Sequence, residues 1–252
     1  MALINIILVG IIIGSFLNVC IYRIPIGQSL TLPPSYCKKC GKRIKAYDLI
    51  PVISYILLRG RCRFCKDKIS LRYPLIELVT GAFFGALYIK YGLSIIFIKY
   101  CIFACFLIVI GIIDYDTTDV YFKTTSTGFL IGVFFVIFEL LYYGPGIQRV
   151  FTYILGGILG FGIIASMILI TGGMGWGDAE ICLLSGIFLG FKTTIVMMLL
   201  SFFIGAVTGI ILIVYKKKSR KDYIPFGPFI ALSSILSIFF ANNLIIWYLN
   251  IL

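Results

Sequence analysis

Apolar positions in this chain come in long uninterrupted blocks, not in the alternation of a half-buried strand or the narrow stripe of a surface helix. Eight blocks stand out, at about 2–22, 73–90, 95–113, 125–143, 150–170, 179–191, 193–215 and 228–250. Most reach the roughly 20 residues that a helix needs to cross a bilayer. The sixth is short, and Gly190-Phe191-Lys192 marks a tight turn before the seventh. The first block lacks a basic n-region and a small-residue cleavage site, so it is expected to remain as a span rather than be removed as a signal peptide. One sizeable polar segment, residues 23–72, interrupts the series. The pattern predicts an all-α polytopic membrane protein with about eight transmembrane helices.

Composition excludes an ordinary soluble domain: 61% of the 252 residues are hydrophobic, 13% are charged and the mean hydropathy is +1.08. Charge then orients the spans, because cytoplasmic loops collect Lys and Arg. With the N-terminus outside, one face receives residues 23–72, 114–124, 171–178 and 216–227. Of the 22 basic residues, all but Lys90, Lys99, Arg149 and Lys192 fall on that face. An odd number of spans would spoil this asymmetry, so both termini are expected outside the cytoplasm. The acids sort the same way. Asp48, Asp67, Asp114, Asp116, Asp119, Asp178 and Asp222 lie in or beside the cytoplasmic loops, Glu77 and Glu180 just inside spans at that face, and Glu139 near the other. Chemistry is therefore expected at the cytoplasmic boundary. The net charge of +12 is accounted for by topology and membrane lipid headgroups and calls for no nucleic acid.

Within the polar segment, Cys37-x2-Cys40 and Cys62-x2-Cys65 are separated by 21 residues. Two such pairs can bring four thiolates around a Zn²⁺ ion, each pair forming a knuckle whose amides face the sulfurs. Gly41 suits the tight turn of the first knuckle. Four thiolates leave no open coordination position and the chain has no histidine, so such a zinc would be structural. Two disulfides, disfavoured in a reducing cytoplasm, or a metal-free loop are the alternatives. Cys20, Cys101, Cys105 and Cys182 sit in apolar blocks and read as small hydrophobes.

Two aspartates stand at the ends of apolar runs: Asp114 in "IVIGIIDYD" and Asp178 in "GGMGWGDAE". An ionisable residue at membrane depth marks function, since burying its charge is costly. Two carboxyls held close share a proton, and such a pair can activate water and protonate a leaving amine. Gly172, Gly173, Gly175 and Gly177 ahead of Asp178 can take positive φ and admit a substrate backbone; Gly175 and Gly177 are the candidate approach loop. A flexible loop with an aspartate capping the next helix explains the same residues. Asp116 and Asp119 read as solvated loop or cap residues.

Together these residues resemble the type IV prepilin peptidases, aspartic membrane proteases of the bacterial inner membrane. The likeness rests on "GSFLNVCIYRIP" at 14–25, the cysteine loop with "YDLIPVISYILLRGRCRFC" and "ISLRYPLIE", "IDYD" at 113–116, and "GMGWGDAE", with a weaker echo in "PFGPFIAL" at 225–232. The resemblance implies an endopeptidase that cuts the basic leader of prepilin or pseudopilin substrates on the cytoplasmic side, and commonly then methylates the new N-terminus with S-adenosylmethionine. By position it makes Asp114 and Asp178 the catalytic pair, and Cys37, Cys40, Cys62 and Cys65 the zinc ligands. The division implied is a first helix at 1–22, a cytoplasmic four-cysteine zinc-binding domain at 23–72 and a membrane peptidase domain at 73–252. The family commonly follows "IDxD" with Leu-Pro-Asp or a near relative, where this chain has Val120, Tyr121 and Phe122. No glycine-rich nucleotide motif marks a cofactor site. Glu77 is the residue to consider for a cationic group, with a first-turn helix acid as the other reading.

Two further functions fit parts of the pattern. A cation-coupled transporter would place acids deep in spans within two repeated halves; this chain has no evident repeat, and its acids cluster at one face. A non-catalytic assembly platform would leave the glycine-rich approach to Asp178 without a purpose.

Overall fold

In hydrocarbon no water is available to satisfy a peptide group, so each apolar block must close its own hydrogen bonds, which a helix does. The computed structural model describes residues 1–143, 147–215 and 224–250. In it every predicted block is a helix: α1 (Ala2–Arg23), α3 (Arg72–Tyr91), α4 (Ile95–Thr117), α5 (Phe122–Tyr143), α6 (Ile147–Thr171), α7 (Trp176–Leu189), α8 (Phe191–Val214) and α9 (Gly227–Leu249). The polar segment adds a 3-10 turn at Ala46–Leu49 and the short α2 (Ile53–Leu57). Among the described residues there are two isolated β-bridges, Tyr36 with Arg43 and Arg61 with Lys68. The basic cluster Lys216, Lys217, Lys218, Arg220 and Lys221, with Asp222, lies outside the described residues, as does the side chain of Arg149.

Six of the helices, α1, α4, α5, α6, α8 and α9, are long and apolar enough to cross a bilayer. The protein is thus a multi-pass membrane protein, and the expected eight is an approximate span count. α3 has 20 residues but carries Arg72, Glu77 and Lys90. α7 has 14 residues, a rise of about 21 Å against a hydrocarbon core of about 30 Å. The expected turn is there: Gly190, at φ 78°, caps the C-terminus of α7 and the N-terminus of α8 in one residue.

The helices overrun the apolar blocks at the polar ends. α4 continues through Thr117, so Asp114 lies inside the helix rather than at its end, and α7 begins at Trp176, so Asp178 falls in its first turn. The hydrogen-bond ladder, not hydropathy, decides where a helix stops.

The chain forms two compact units, Met1–Cys105 and Phe106–Leu252, with α4 running from one into the other. In the first, α1 and α3 pack antiparallel, and small residues let the backbones approach. A Cβ on Gly14 would stand 2.7 Å from Glu77 Cα, and one on Gly10 2.8 Å from Gly81 Cα. Asn18 ties the pair by donating from its amide to the carbonyls of Gly14 and Tyr73, at 3.2 and 3.1 Å. The "GSFLNVC" stretch is therefore a packing surface for the start of α3.

In the second unit α7 is the central helix, packed by α5, α6, α8 and α9. Gly186 and Gly156 meet backbone to backbone across α6 and α7. Polar links hold α7 in register. Thr125 Oγ1 donates to Glu180 Oε2 at 2.6 Å, and Ser234 Oγ donates to Ser185 Oγ at 3.1 Å. This fixation matters because α7 carries Asp178.

Candidate active site and candidate metal centre

Asp114 and Asp178 come from different helices of the second unit, the last turns of α4 and the first turn of α7. Both are buried, 2% and 3% exposed. They lie close enough to feel each other's charge. Each has a self-made support. The N–H of Gly175, the N-cap residue of α7, lies toward the Asp178 carboxyl, which sits at the third helical position. Asp178 is thus not the cap residue that one sequence reading offered. The N–H of Gly227 bonds the Asp114 carboxyl. On each aspartate Oδ2 is buried with no hydrogen-bond partner among the described residues. Two fixed carboxyls, each with one oxygen turned away from the protein's own donors, are equipped to hold a water or a shared proton. Asp116, in the last turn of α4, and Asp119, in the loop after it, are both exposed.

The glycines before Asp178 divide by role. The left-handed conformation occurs at Gly172, φ 61°. Gly175 is extended, φ −85° and ψ 150°, and exposed. Gly177 is helical, and a Cβ there would run into the Val120 side chain. Val120, one of the three residues standing where Leu-Pro-Asp was expected, therefore packs on the first turn of α7.

Gly227, within "PFGPFIAL", is a site residue that the sequence reading does not single out. Its hydrogen would be replaced by a Cβ 2.5 Å from Asp114 Oδ2 and 3.0 Å from Ile181 Cδ1. Gly227→Ala is expected to displace the Asp114 carboxyl and lower turnover by about 100-fold, the scale of an ångström of misplacement. A side-by-side assay of Gly227→Ala and wild type checks this.

The candidate metal centre lies in the first unit. The four sulfurs of Cys37, Cys40, Cys62 and Cys65 lie within 4.8 Å of one another. Cys37 Sγ and Cys65 Sγ are 3.8 Å apart, the edge of a tetrahedron with metal–sulfur bonds of about 2.3 Å. All four are free thiols gathered at one point, so they do not form two disulfides. The cluster could hold a metal ion. The two halves are built alike. Cys37 N–H donates to Lys42 O at 2.9 Å, and Cys62 N–H to Asp67 O at 2.8 Å. Gly41 and Lys66 follow the second cysteine of each pair, at φ 67° and 59°. The amides of Cys40 and Lys39 pull the Cys37 thiol down to about 7, favouring the thiolate that binds metal. Lys39 pairs with Asp67 at 2.8 Å, joining the knuckles. Arg63 grips Asp48 through two bonds of 2.8 and 2.6 Å and holds its carboxyl below the usual range.

Lys66 is the weaker of the two matched turns, since a side chain in the left-handed region costs about 1 kcal/mol that glycine avoids. Lys66→Gly is expected to tighten metal binding by about fivefold, read by competition with a chelating dye.

A cleft of about 410 Å³ opens between this loop and the start of α3, lined among others by Tyr22, Tyr36, Lys38, Tyr55, Tyr73 and Glu77. The Lys38 ammonium lies 3.6 Å from the centre of the Tyr22 ring. Glu77 is buried, 7% exposed, and its Oε2 accepts the N–H of Val52 at 2.8 Å.

Residues 8–91 match the bacterial peptidase A24 N-terminal domain, and residues 101–210 match the type IV leader peptidase family. A prepilin leader peptidase/N-methyltransferase of Neisseria gonorrhoeae is 35% identical over 93% of this chain and 88% of its own length. The chain belongs to the type IV leader peptidase family. Proteins of the same description from Bacillus subtilis and Pseudomonas putida are each 30% identical, over 96% and 93% of this chain and 95% and 89% of their own lengths. No solved structure matches the chain. As a member of this family it is an enzyme, and the transporter and platform readings are not favoured. The two matched regions each hold one site: the cysteines and Glu77 fall in the first, Asp114 and Asp178 in the second.

Proposed function

We propose that this leader peptidase cuts prepilin or pseudopilin substrates with Asp114 and Asp178 as its catalytic pair, and then methylates the new N-terminus. The observation that carries the first step is the pair of buried carboxyls, presented by two helices and each with one oxygen lacking a partner. One carboxylate takes a proton from a water, whose oxygen attacks the scissile carbonyl; the neutral carboxyl gives its proton to the carbonyl oxygen. Collapse of the tetrahedral species breaks the C–N bond: the leaving amine takes the proton held by the first carboxyl, and one hydroxyl of the diol returns its proton to the second as the new carbonyl forms. The exposed, extended backbone at Gly175 is the edge along which the substrate strand lies, while Gly177 lets α7 close on Val120.

For the second step the cleft of the first unit has the size and lining for a nucleoside-bearing ligand. S-adenosylmethionine, when bound, supplies an electrophilic methyl group on a sulfonium. The tyrosine rings offer stacking surfaces, and Tyr22 already accepts a cation on its face. Zn²⁺ is the metal suited to four thiolates, from Cys37, Cys40, Cys62 and Cys65; it would supply rigidity to one wall of the cleft, which Cys37 and Cys62 help to line. The functional division is the first helix at 1–22, the zinc-binding segment at 23–72 and the peptidase part at 73–252. The setting is the bacterial cytoplasmic membrane, with both termini outside and lipid around the apolar helices.

The test is mass spectrometry of a prepilin incubated with membranes holding the enzyme, with and without S-adenosylmethionine. Trimming alone without the cofactor, and trimming plus one methyl group with it, is the expected result. Trimming with no methyl under either condition would leave the peptidase and remove the second activity.

A further inference from the structure

Val52 has the backbone of a residue that should not be there. Its φ is 60° and its ψ −52°, a left-side conformation that a β-branched side chain rarely takes. Ile53 N–H donates to Pro51 O at 2.6 Å across it. Three residues closed by that bond, with positive φ in the middle, form a γ-turn of the rare, strained hand. Such strain persists where surrounding structure over-determines it, and it gathers at functional sites.

The contact that holds the turn comes from far along the chain. The N–H of Val52 donates to Glu77 Oε2 at 2.8 Å. Ser15 of α1 lies on the same side, near the Glu77 carboxyl. Glu77 is itself set by the close approach of α1 and α3, because Gly14 packs against its Cα. Val52 is the N-cap of α2, and Val52, Ser54, Tyr55 and Leu58 line the same cleft as Glu77. One oxygen of the Glu77 carboxyl is thus committed to the Val52 backbone.

We infer that Glu77 is a positioning residue for methyl transfer: by holding Val52 in its strained turn it sets α2 as a wall of the cofactor cleft, and it does not itself bind the sulfonium. The inference rests on the cleft being the S-adenosylmethionine site. It follows that Glu77 can be bypassed by relieving the strain, because glycine takes φ near 60° at no steric cost.

The experiment measures S-adenosylmethionine binding by equilibrium dialysis, and KM and kcat for methylation, on the full-length enzyme in lipid nanodiscs. Glu77→Ala is expected to raise Kd and KM by about tenfold, with kcat changed much less. Glu77→Gln keeps an acceptor oxygen and should stay near wild type. Val52→Gly added to Glu77→Ala should restore most of the lost affinity. Failure of that rescue, or a Glu77→Gln variant as weak as Glu77→Ala, overturns the positioning role in favour of direct cation binding by the charge. Unchanged binding in Glu77→Ala overturns it too. Leu58→Trp, which fills the cleft, tests the underlying reading separately: with zinc content retained, it should abolish binding. Full binding by Leu58→Trp would remove the cleft as the cofactor site, whatever Glu77 does.

Discussion

Asp114→Asn and Asp178→Asn will each leave prepilin uncut, with the rate down by at least about a thousandfold. The substitution keeps size and shape. An asparagine at 178 still offers an oxygen to the Gly175 N–H, and one at 114 an oxygen to the Gly227 N–H, so both helices keep their local support. What is lost is the ability to take or give a proton at that place. Removing either carboxyl should cost about as much as removing both, as expected of the proposed pair acting as a unit. Asp119→Asn provides the contrast: it is exposed, and its rate should stay within about twofold of wild type. The measurement is initial cleavage of a prepilin in nanodiscs, with helix content checked by circular dichroism. A well-folded Asn variant that cuts at the wild-type rate would falsify the assignment of that carboxyl.

The second large effect concerns the cysteine loop. Stripping the metal, or replacing Cys62 with Ser, is expected to open the segment from Tyr36 to Ser70 and to abolish methylation. This segment buries little. Its 3-10 turn and α2 have no buried residue, and besides local hydrogen bonds and the Val52–Glu77 contact it is held by two β-bridges and two ion pairs. Those pairs are partly exposed, and surface pairs contribute about 0–1 kcal/mol each. Metal binding to four thiolates supplies an apparent 10–16 kcal/mol or so, which is ample to fold such a loop. Cys37 and Cys62 belong to the cleft wall, so the proposed cofactor site goes with the fold. Zinc content by elemental analysis, limited proteolysis across residues 36–70 and the methyl mass on the product give three readings. Stoichiometric zinc, cleavage of the loop after chelation and loss of the methyl mass are expected together. A loop that stays protease-resistant after complete chelation would show that the sulfurs do not hold it.

Several features of this protein were legible in one dimension. Blocks of apolar residues gave the positions of the helices because in lipid each block satisfies its own backbone, so no partner is needed to decide its conformation. The paired cysteines were legible because metal coordination requires a ligand set at short, fixed spacing. The aspartates were conspicuous because a carboxyl in an apolar run has no structural motive.

Other features depended on contacts between distant parts of the chain. Nothing in "PVIS" announces that Val52 adopts a conformation suited to glycine; the deciding group, Glu77, is 25 residues away. Gly177 and Gly175 look alike in sequence, yet one is packed against Val120 and the other is exposed and extended. Gly227 earned its place through Asp114, more than a hundred residues earlier. The sequence by itself determined a helical membrane protein with two cysteine pairs at metal-ligand spacing and two aspartates at the ends of apolar runs, since local hydrogen bonding, hydropathy and spacing suffice for those. Only the tertiary structure decided that the two carboxyls share a buried place, that the sulfurs converge on one point and that Glu77 is spent on a backbone turn. Those are matters of which side chains meet across elements, and pairing across elements is set by packing that no local stretch encodes.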